Sequence, residues 1–550
     1  MKLGKNMSHR MGALCCAALL GTMPALVAGA PAAAPAASTA KGKTLRYASQ
    51  DDPQTVDPHS ANLLATSRLT SNIYEPLVFR GKDWKPIPWL ATSWQQLNDR
   101  TWRFKLREGV TFHDGAPFTA DDVVFSVERA LSSTSQMRVA IQGVEIAKKV
   151  DALTVDLFLK EPNPALLHHL TNFRIMNKAW CVKNNTIRPQ DYKAKEDTYS
   201  VRNANGTGAF KLKEWSPDVR VVLTKHADWW GEKAGVSETN LTEVVMLPIK
   251  SNATRLAALI SGEVDLVIDP PTQDVARLQK DGALKVQEGL EMRVQYLAFD
   301  LQRDELLYGS LDGKPLTKNP FKDLRVRQAV AHAIDANAIK TKVMRGLSKP
   351  IGAIMVSQTA GYHPDGDKHV PYDLPKAKKL LAEAGYAKGF DVTLDCGNNQ
   401  PAADICQAVA VMLTQAGIRT KPNIVIQSNL FPKLEKFDTS FYLLSWGSGV
   451  TSDALYTLNL MLHSIGPKGS GDFNMGRWSN ADFDKLVEQI KVEGDEKKRN
   501  ALIREAMILV NKELPNVYIH QPLVPWVMKK NVEAWFSPVN TVYFFRTKLN

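Results

Sequence analysis

Hydrophobic and polar positions alternate with two different periods along this chain, and the change of period divides it. Trp89-Leu-Ala-Thr-Ser-Trp94 and Thr101-Trp-Arg-Phe-Lys-Leu106 alternate as half-buried strands do, with Asn98-Asp99 as the turn between them. Thr44–Ser49, Thr154–Lys160, Val219–Thr224 and Leu241–Pro248 read as further strands. Ala65–Ile73 reads as a helix. Thr119-Ala-Asp-Asp122 opens another, because a hydroxyl there can cap free N–H groups while acids occupy the positive end of the helix dipole. Asn252–Ser261 has helical spacing and leads into the strand Glu263–Ile268. Near Tyr296–Leu301 the organisation changes. Beyond it, helix and strand patterns interleave: Asp323–Ala333, Ala336–Met344, Leu374–Ala384, Phe390–Asp395, Ala403–Gln415 and Lys421–Ile426. Strands alternating with helices of roughly 10–15 residues predict α/β units, so the fold class expected is mixed α/β in at least two lobes.

The first residues follow neither period. Lys2, Lys5 and Arg10 precede a mostly apolar run, Met11–Val27, and an Ala/Pro-rich exit follows. That order predicts a cleaved secretory signal peptide; the run is shorter than the roughly 20 residues a spanning helix needs. Cys15 and Cys16 sit at the start of the run, whereas a lipid-attachment cysteine would follow it. The expectation is a soluble secreted protein, periplasmic in a Gram-negative cell.

Composition adds little to that picture. Among 550 residues, 44% hydrophobic and 23% charged positions suit a folded chain with a sizeable core. The net charge of +12 comes from Lys and Arg scattered among acids, with no long basic block, so a solvated surface is expected and no nucleic-acid partner. Beyond the leader three cysteines remain. Cys396 ends a strand-like run and Cys406 lies in a helix-like one, which allows a local disulfide across the loop between them. Cys181 is then an unpaired, buried thiol.

Candidate chemistry points away from catalysis. In Phe112-His-Asp-Gly115, neighbours on a strand face opposite ways, and Asp-Gly marks a hairpin tip. His168-His169 lie about 100° apart on a helix and make no two-point metal clamp. There is no His-Glu-x-x-His helix, no Gly-x-Ser-x-Gly elbow and no phosphate loop; Gly206-x-Gly208 precedes a strand, not the helix a dinucleotide site requires. The expectation is no enzyme, no cofactor and no metal, with a secreted enzyme or chaperone as rival readings.

A set of motifs in one order carries a resemblance. Ile73-Tyr-Glu-Pro-Leu-Val78, Pro88–Trp94, Trp102–Gly115 and Phe118–Glu128 are followed by Gly206-Thr-Gly208, Asp228-Trp-Trp230 and Ile260-Ser-Gly-Glu-Val-Asp265. Then come Val326-Arg-Gln-Ala-Val330, Ala333-Ile-Asp335, Tyr372–Ala377 and Leu381–Tyr386. The chain resembles the family 5 extracellular solute-binding proteins, receptors of ABC importers for peptides, glutathione and nickel chelates. The resemblance implies a two-lobed, type II periplasmic-binding-protein fold with an inserted domain. Residues 1–36 would be signal peptide and exit; 41–82, 205–297 and 515–550 lobe I; 83–204 the inserted domain II; and 298–514 lobe III. Hinge crossings would fall at Tyr296–Asp300 and Glu513–Ile519.

It further implies a monomer that traps a small solute, a peptide or similar, between lobes I and III and presents it to an inner-membrane permease. In the family's peptide receptors a Trp-x-x-Asp motif supplies the carboxylate for the peptide ammonium; the matching residues here are Trp446, Gly447, Ser448 and Gly449, so the acid is missing. Asp453 is the candidate substitute, or else the cap of the helix after it. Asn62, Arg293, Gln295, Phe473 and Asn474 complete the expected ligand-binding set, and a metal chelate, opine or sugar stays open as an alternative solute.

Overall fold

The computed structural model describes residues 42–550, so the expected signal peptide and Cys15 and Cys16 lie outside the described residues. The first strand, β1 (Lys43–Ser49), is buried from Tyr47 onward and runs parallel to β2 (Leu241–Pro248), with Tyr47 opposite Met246. The helix Asn252–Ser261 follows, capped by the Ser251 side chain and ended by Gly262 at φ +86. It returns the chain to β3 (Leu266–Ile268), which pairs with β1 in parallel on its other side. This is a βαβ crossover, whose connecting helix buries Leu256 and Leu259 against the sheet.

The next two strands, β4 (Leu284–Leu290) and β5 (Arg293–Phe299), are separated by only two residues yet belong to different parts of the sheet. Beyond them the sheet is built from β6 (Phe390–Gly397) and β7 (Phe441–Gly447); β6 pairs in parallel with Ile418–Val425 through the helix Ala402–Ala416. The last long strand, β8 (Asn516–Lys529), joins everything. Its first residues pair with β5 (Ala298 opposite Asn516) and its later ones with β4 and β3 (Leu290 opposite Leu523, Leu266 opposite Met528). Two α/β halves therefore meet along β5 and β8, and the register slips between Gln295 and Tyr296. Separate antiparallel strands Ala91–Asn98, Thr101–Leu106, Val144–Asp151 and Thr154–Leu159 form a four-stranded sheet of their own.

Expectation and structure differ in places for identifiable reasons. Trp89 and Leu90 leave the predicted strand, which begins at Ala91, because the Trp89 indole donates to the buried Glu75 carboxyl at 2.8 Å. Ala336–Met344 is helical only over Ala336–Ala338 before it widens into a π-turn at Ile339–Val343. The helix Ala120–Leu131 starts as read: the Asp122 carboxylate accepts from the Thr119 N–H at 2.9 Å. Among the described residues no helix is long and apolar enough to cross a membrane.

Cys396 and Cys406 form a disulfide that staples the end of β6 to the helix Ala402–Ala416. Cys181 is free and buried, and burial pushes its thiol up to about 11, so it is a poor nucleophile. The bridge closes a short loop, 10 residues apart in sequence. Replacing both cysteines by serine is expected to cost about 3 kcal/mol through the loop entropy returned to the unfolded chain. Urea denaturation of the oxidised protein and the double variant measures it.

Candidate functional site

A cavity of about 310 Å³ lies where the two halves face each other. One wall comes from the helix Leu64–Ile73 (Ser67, Thr70, Ser71), the preceding turn (Pro58, Ala61, Asn62), Arg80 at the end of the short strand Val78–Arg80, and the segment with Asn172 and Arg174. The opposing wall is Gly447, Gly449 and Val450 at the end of β7. Glu291 and Met292 between β4 and β5, Arg293 at the start of β5, and Val539, Thr541 and Tyr543 close the back.

Local structure explains how these residues meet. Arg293 and Gly447 are cross-strand partners, so the β5 and β7 ends reach the cavity together. The Met292 carbonyl accepts from Ser448 N–H at 3.1 Å, and Met292 N–H donates to the Pro538 carbonyl at 2.8 Å. A Cβ on Gly449 would stand 2.6 Å from Cγ1 of Val539, so glycine is what lets the β7 loop pack against 537–541. An acid at this position would displace that packing.

The walls also touch directly. Arg80 Nη2 donates to the Val450 carbonyl at 3.0 Å, and the Asn172 amide donates to the same carbonyl. Beside them, Trp84 Nε1 donates to Ser452 Oγ at 3.0 Å, and the Arg80 guanidinium sits 5.2 Å from the Trp84 ring.

Charge in the cavity is lopsided. Arg80, Arg174 and Arg293 line it, against Glu291 alone. Burial draws the Arg80 guanidinium down to about 10, with the Arg174 charge pushing the same way, and burial also lowers Arg174. Glu75 is the carboxylic acid whose field reaches Arg174, but it is committed elsewhere. It accepts from the indoles of Trp89, Trp229 and Trp230 at 2.8–3.0 Å, and burial raises it to about 7 in spite of them. Glu291 pairs with Arg293 at 3.2 Å.

Of the residues singled out from sequence, Asn62, Arg293, Gly447 and Gly449 line this cavity. The structure places the others elsewhere. Trp446 alternates to the opposite face from Gly447, stacks on Tyr456 at 5.2 Å and donates to Thr457 Oγ1 at 2.9 Å, inside an apolar core. Phe473 packs against it at 5.4 Å. Ser448 is buried beside Thr359, and Gln295 is buried in β5 opposite His520. Asn474 folds its own turn: its amide donates to the carbonyls of His463 and Trp478, and its oxygen accepts from Trp478 N–H. Asp453 caps the helix Ala454–Thr457 and makes a two-pronged pair with Arg499 at 2.7 and 2.9 Å.

Sequence reasoning missed Arg80, Asn172, Arg174 and Tyr543. The available signal was an arginine set in an apolar run, as in Val78-Phe-Arg80 and Phe173-Arg-Ile-Met176. His113 is structural: its Nε2 lies 3.0 Å from the Gly208 carbonyl and the ring packs edge-on against His226. Among the described residues no group of three or more His, Cys, Asp or Glu is placed to hold a metal ion.

Two α/β halves joined through a pair of strands, with a cavity between them, define the type II periplasmic-binding-protein fold. Within that class the chain belongs to the bacterial extracellular solute-binding proteins, family 5, whose middle-region model matches residues 85–468. It is 25% identical over 535 residues to a dipeptide-binding protein of Escherichia coli (strain K12), covering 91% of this chain and 93% of that one. To the glutathione-binding protein GsiB of Salmonella typhi it is 26% identical, covering 87% and 88%. The solved ABC transporter substrate binding protein CtaP of Listeria monocytogenes superposes with a TM-score of 0.78 at 22% identity, covering 92% and 99%.

Proposed function

We propose that this chain is the periplasmic receptor of an ABC importer, capturing a peptide or peptide-like solute in the cavity between its two lobes and delivering it to a membrane permease. The observation that carries this reading is the make-up of the cavity, whose walls come from both halves and whose halves are joined through the strands β5 and β8. In this reading residues 298–514 form one lobe, and the rest, with an inserted domain at 83–204, the other. The names of the relatives, which bind dipeptides and glutathione, support the solute class.

Closure follows from differential contact. A solute touching both walls stabilises the closed form by the contacts it lacks in the open one. The bonds from Arg80 and Asn172 to the Val450 carbonyl are made only when the walls meet, so they add to closure without contributing to solute affinity in the open form. Shutting the cavity removes water and strengthens the remaining polar contacts. The permease then recognises the closed form, and the solute leaves chemically unchanged.

A second reading, a non-peptide solute, is favoured by one observation: no acid stands at Gly449, and Asp453 is engaged by Arg499. Native mass spectrometry of gently purified protein tests both. The expected result is a protein carrying a small solute that denaturation releases intact, with fragment ions that identify it as peptide or not. A protein that arrives empty and takes up nothing from a cell extract, or that releases a converted product, overturns the receptor reading.

A further inference from the structure

Buried arginines in this fold are otherwise well provided for. Arg129, Arg68 and Arg499 each meet a carboxylate, that of Asp57, Asp269 and Asp453. Arg327 has no carboxylate, but its guanidinium donates to four backbone carbonyls, those of Phe321, Lys322, Glu513 and Leu514. Arg255 donates to three carbonyls and the Asn252 side chain, although its Nε is buried without a partner.

Arg80 and Arg174 break the rule. They are 5% and 7% exposed, and among the described residues neither has a carboxylate within 4.0 Å. A guanidinium has five N–H groups. Arg80 uses one of them, on the Val450 carbonyl, and its Nε is buried without a partner. Among the described residues Arg174 donates only to the Thr171 carbonyl and Ser71 Oγ. Two buried cations lining one cavity, neither with a carboxylate and one with a donor cut off from any partner, are costly in the ligand-free protein. Both line the same cavity.

The neighbouring hollow between the same two halves shows that this is no general property of the seam. It measures about 640 Å³, and its lining mixes both signs: Lys160 and Lys491 stand with Glu161 and Glu488, and Glu488 meets Lys491 at 2.5 Å.

We propose that the solute is an anion whose carboxylate or phosphate-type group is held by Arg80 and Arg174, so that recognition rests on an acidic group where peptide receptors of this family use the solute's ammonium. This rests on the cavity being the solute site. A guanidinium pair suits an oxyanion because two planar forks present parallel N–H donors to its oxygens. Tyr543 also lines the cavity, and its hydroxyl can donate to the same group, whereas those of Ser71 and Thr541 donate to the Ser67 and Val539 carbonyls. At about 310 Å³ the cavity stands at the small end of ligand sites, which limits the solute to a molecule of dipeptide size.

Calorimetry on the full-length protein tests it with four probes: alanyl-glutamate, its diamide with both carboxyls blocked, succinate and inorganic phosphate, all at matched chloride. We expect saturable binding of at least one of the three oxyanions, and binding of the diamide at least about 100-fold weaker than that of alanyl-glutamate. Carboxylates binding without phosphate, or the reverse, assigns the oxyanion type. Arg80→Gln and Arg174→Gln should each weaken the bound oxyanion about 10- to 100-fold. The ligand-free melting temperature of Arg80→Met should hold or rise, since an unpaired buried charge is removed.

The proposal is overturned if the diamide binds as well as the acid, if both glutamine variants keep wild-type affinity, or if no probe binds. It also falls if ligand-free Arg80→Met melts well below wild type, which would make the arginine a structural one. Diamide binding, or a retained neutral solute in native mass spectrometry, would leave the receptor reading standing while removing the anion.

Discussion

Replacing Asp453 by alanine is expected to cost about 3–5 kcal/mol of folding stability and to leave solute affinity within about threefold. The carboxylate is 1% exposed and the Arg499 side chain 8%. Asp453 Oδ1 accepts from Arg499 Nη2 at 2.7 Å and from Leu455 N–H at 2.9 Å, while Oδ2 accepts from Arg499 Nη1 at 2.9 Å. Burial by itself would raise this carboxyl; Arg499 reverses the balance and holds it below its usual value. Removing it strands a buried guanidinium, whose only other hydrogen bond among the described residues is to the Ile490 carbonyl at 3.3 Å. The midpoint of urea unfolding should fall at constant slope. The opposite result, lost affinity at unchanged stability, would return Asp453 to the site as the amine anchor that sequence similarity suggests.

That contrast shows where the sequence was legible. The alternation of Phe390–Asp395, Ala403–Gln415 and Lys421–Ile426 is a local property, and the structure has a strand, a helix and a parallel strand there. Which side of a strand meets the opposing half is not local. Trp446 and Gly447 are neighbours on β7, and the period of two tells only that they face apart. The cavity received the glycine and the core received the tryptophan, because Gly447 is the residue opposite Arg293.

Arginines show the same limit more sharply. Arg80, Arg129, Arg174 and Arg255 all interrupt apolar stretches, and nothing near them in sequence tells them apart. Arg129 finds Asp57, 72 residues away, and Arg499 finds Asp453, 46 residues away. Arg80 and Arg174 find no carboxylate within 4.0 Å among the described residues, a difference that exists only once the chain is folded.

The second large effect is expected at Asp57, which fastens the cavity's outer wall. Its carboxylate and the Arg129 side chain are both fully buried. Oδ1 accepts from Arg129 Nη1 at 2.8 Å and from His59 N–H at 3.0 Å; Oδ2 accepts from Arg129 Nη2 at 2.5 Å and from Ser200 Oγ at 2.9 Å. These bonds tie the turn that carries Pro58, Ala61 and Asn62 to the helix Ala120–Leu131 and to the segment around Ser200. Asp57→Ala should therefore lower stability by about 3–5 kcal/mol, leaving the Arg129 charge buried and unpaired. It should also weaken solute binding, which Asp453→Ala should not.

Acid provides an independent reading of the same pair. Burial works to raise the Asp57 carboxyl, but the Arg129 charge overrides it and holds the group at about 2. A carboxylate depressed in the folded state contributes its stability above the unfolded value of about 3.9 and loses it as pH falls through the folded value. The wild-type protein should thus lose about 2 kcal/mol from this group between roughly pH 4 and pH 2, a component absent from Asp57→Ala. Unfolding free energies of the two proteins, measured at several pH values through that window, should converge as the pH falls. Curves that stay parallel would show that the Asp57–Arg129 pair does not hold this wall.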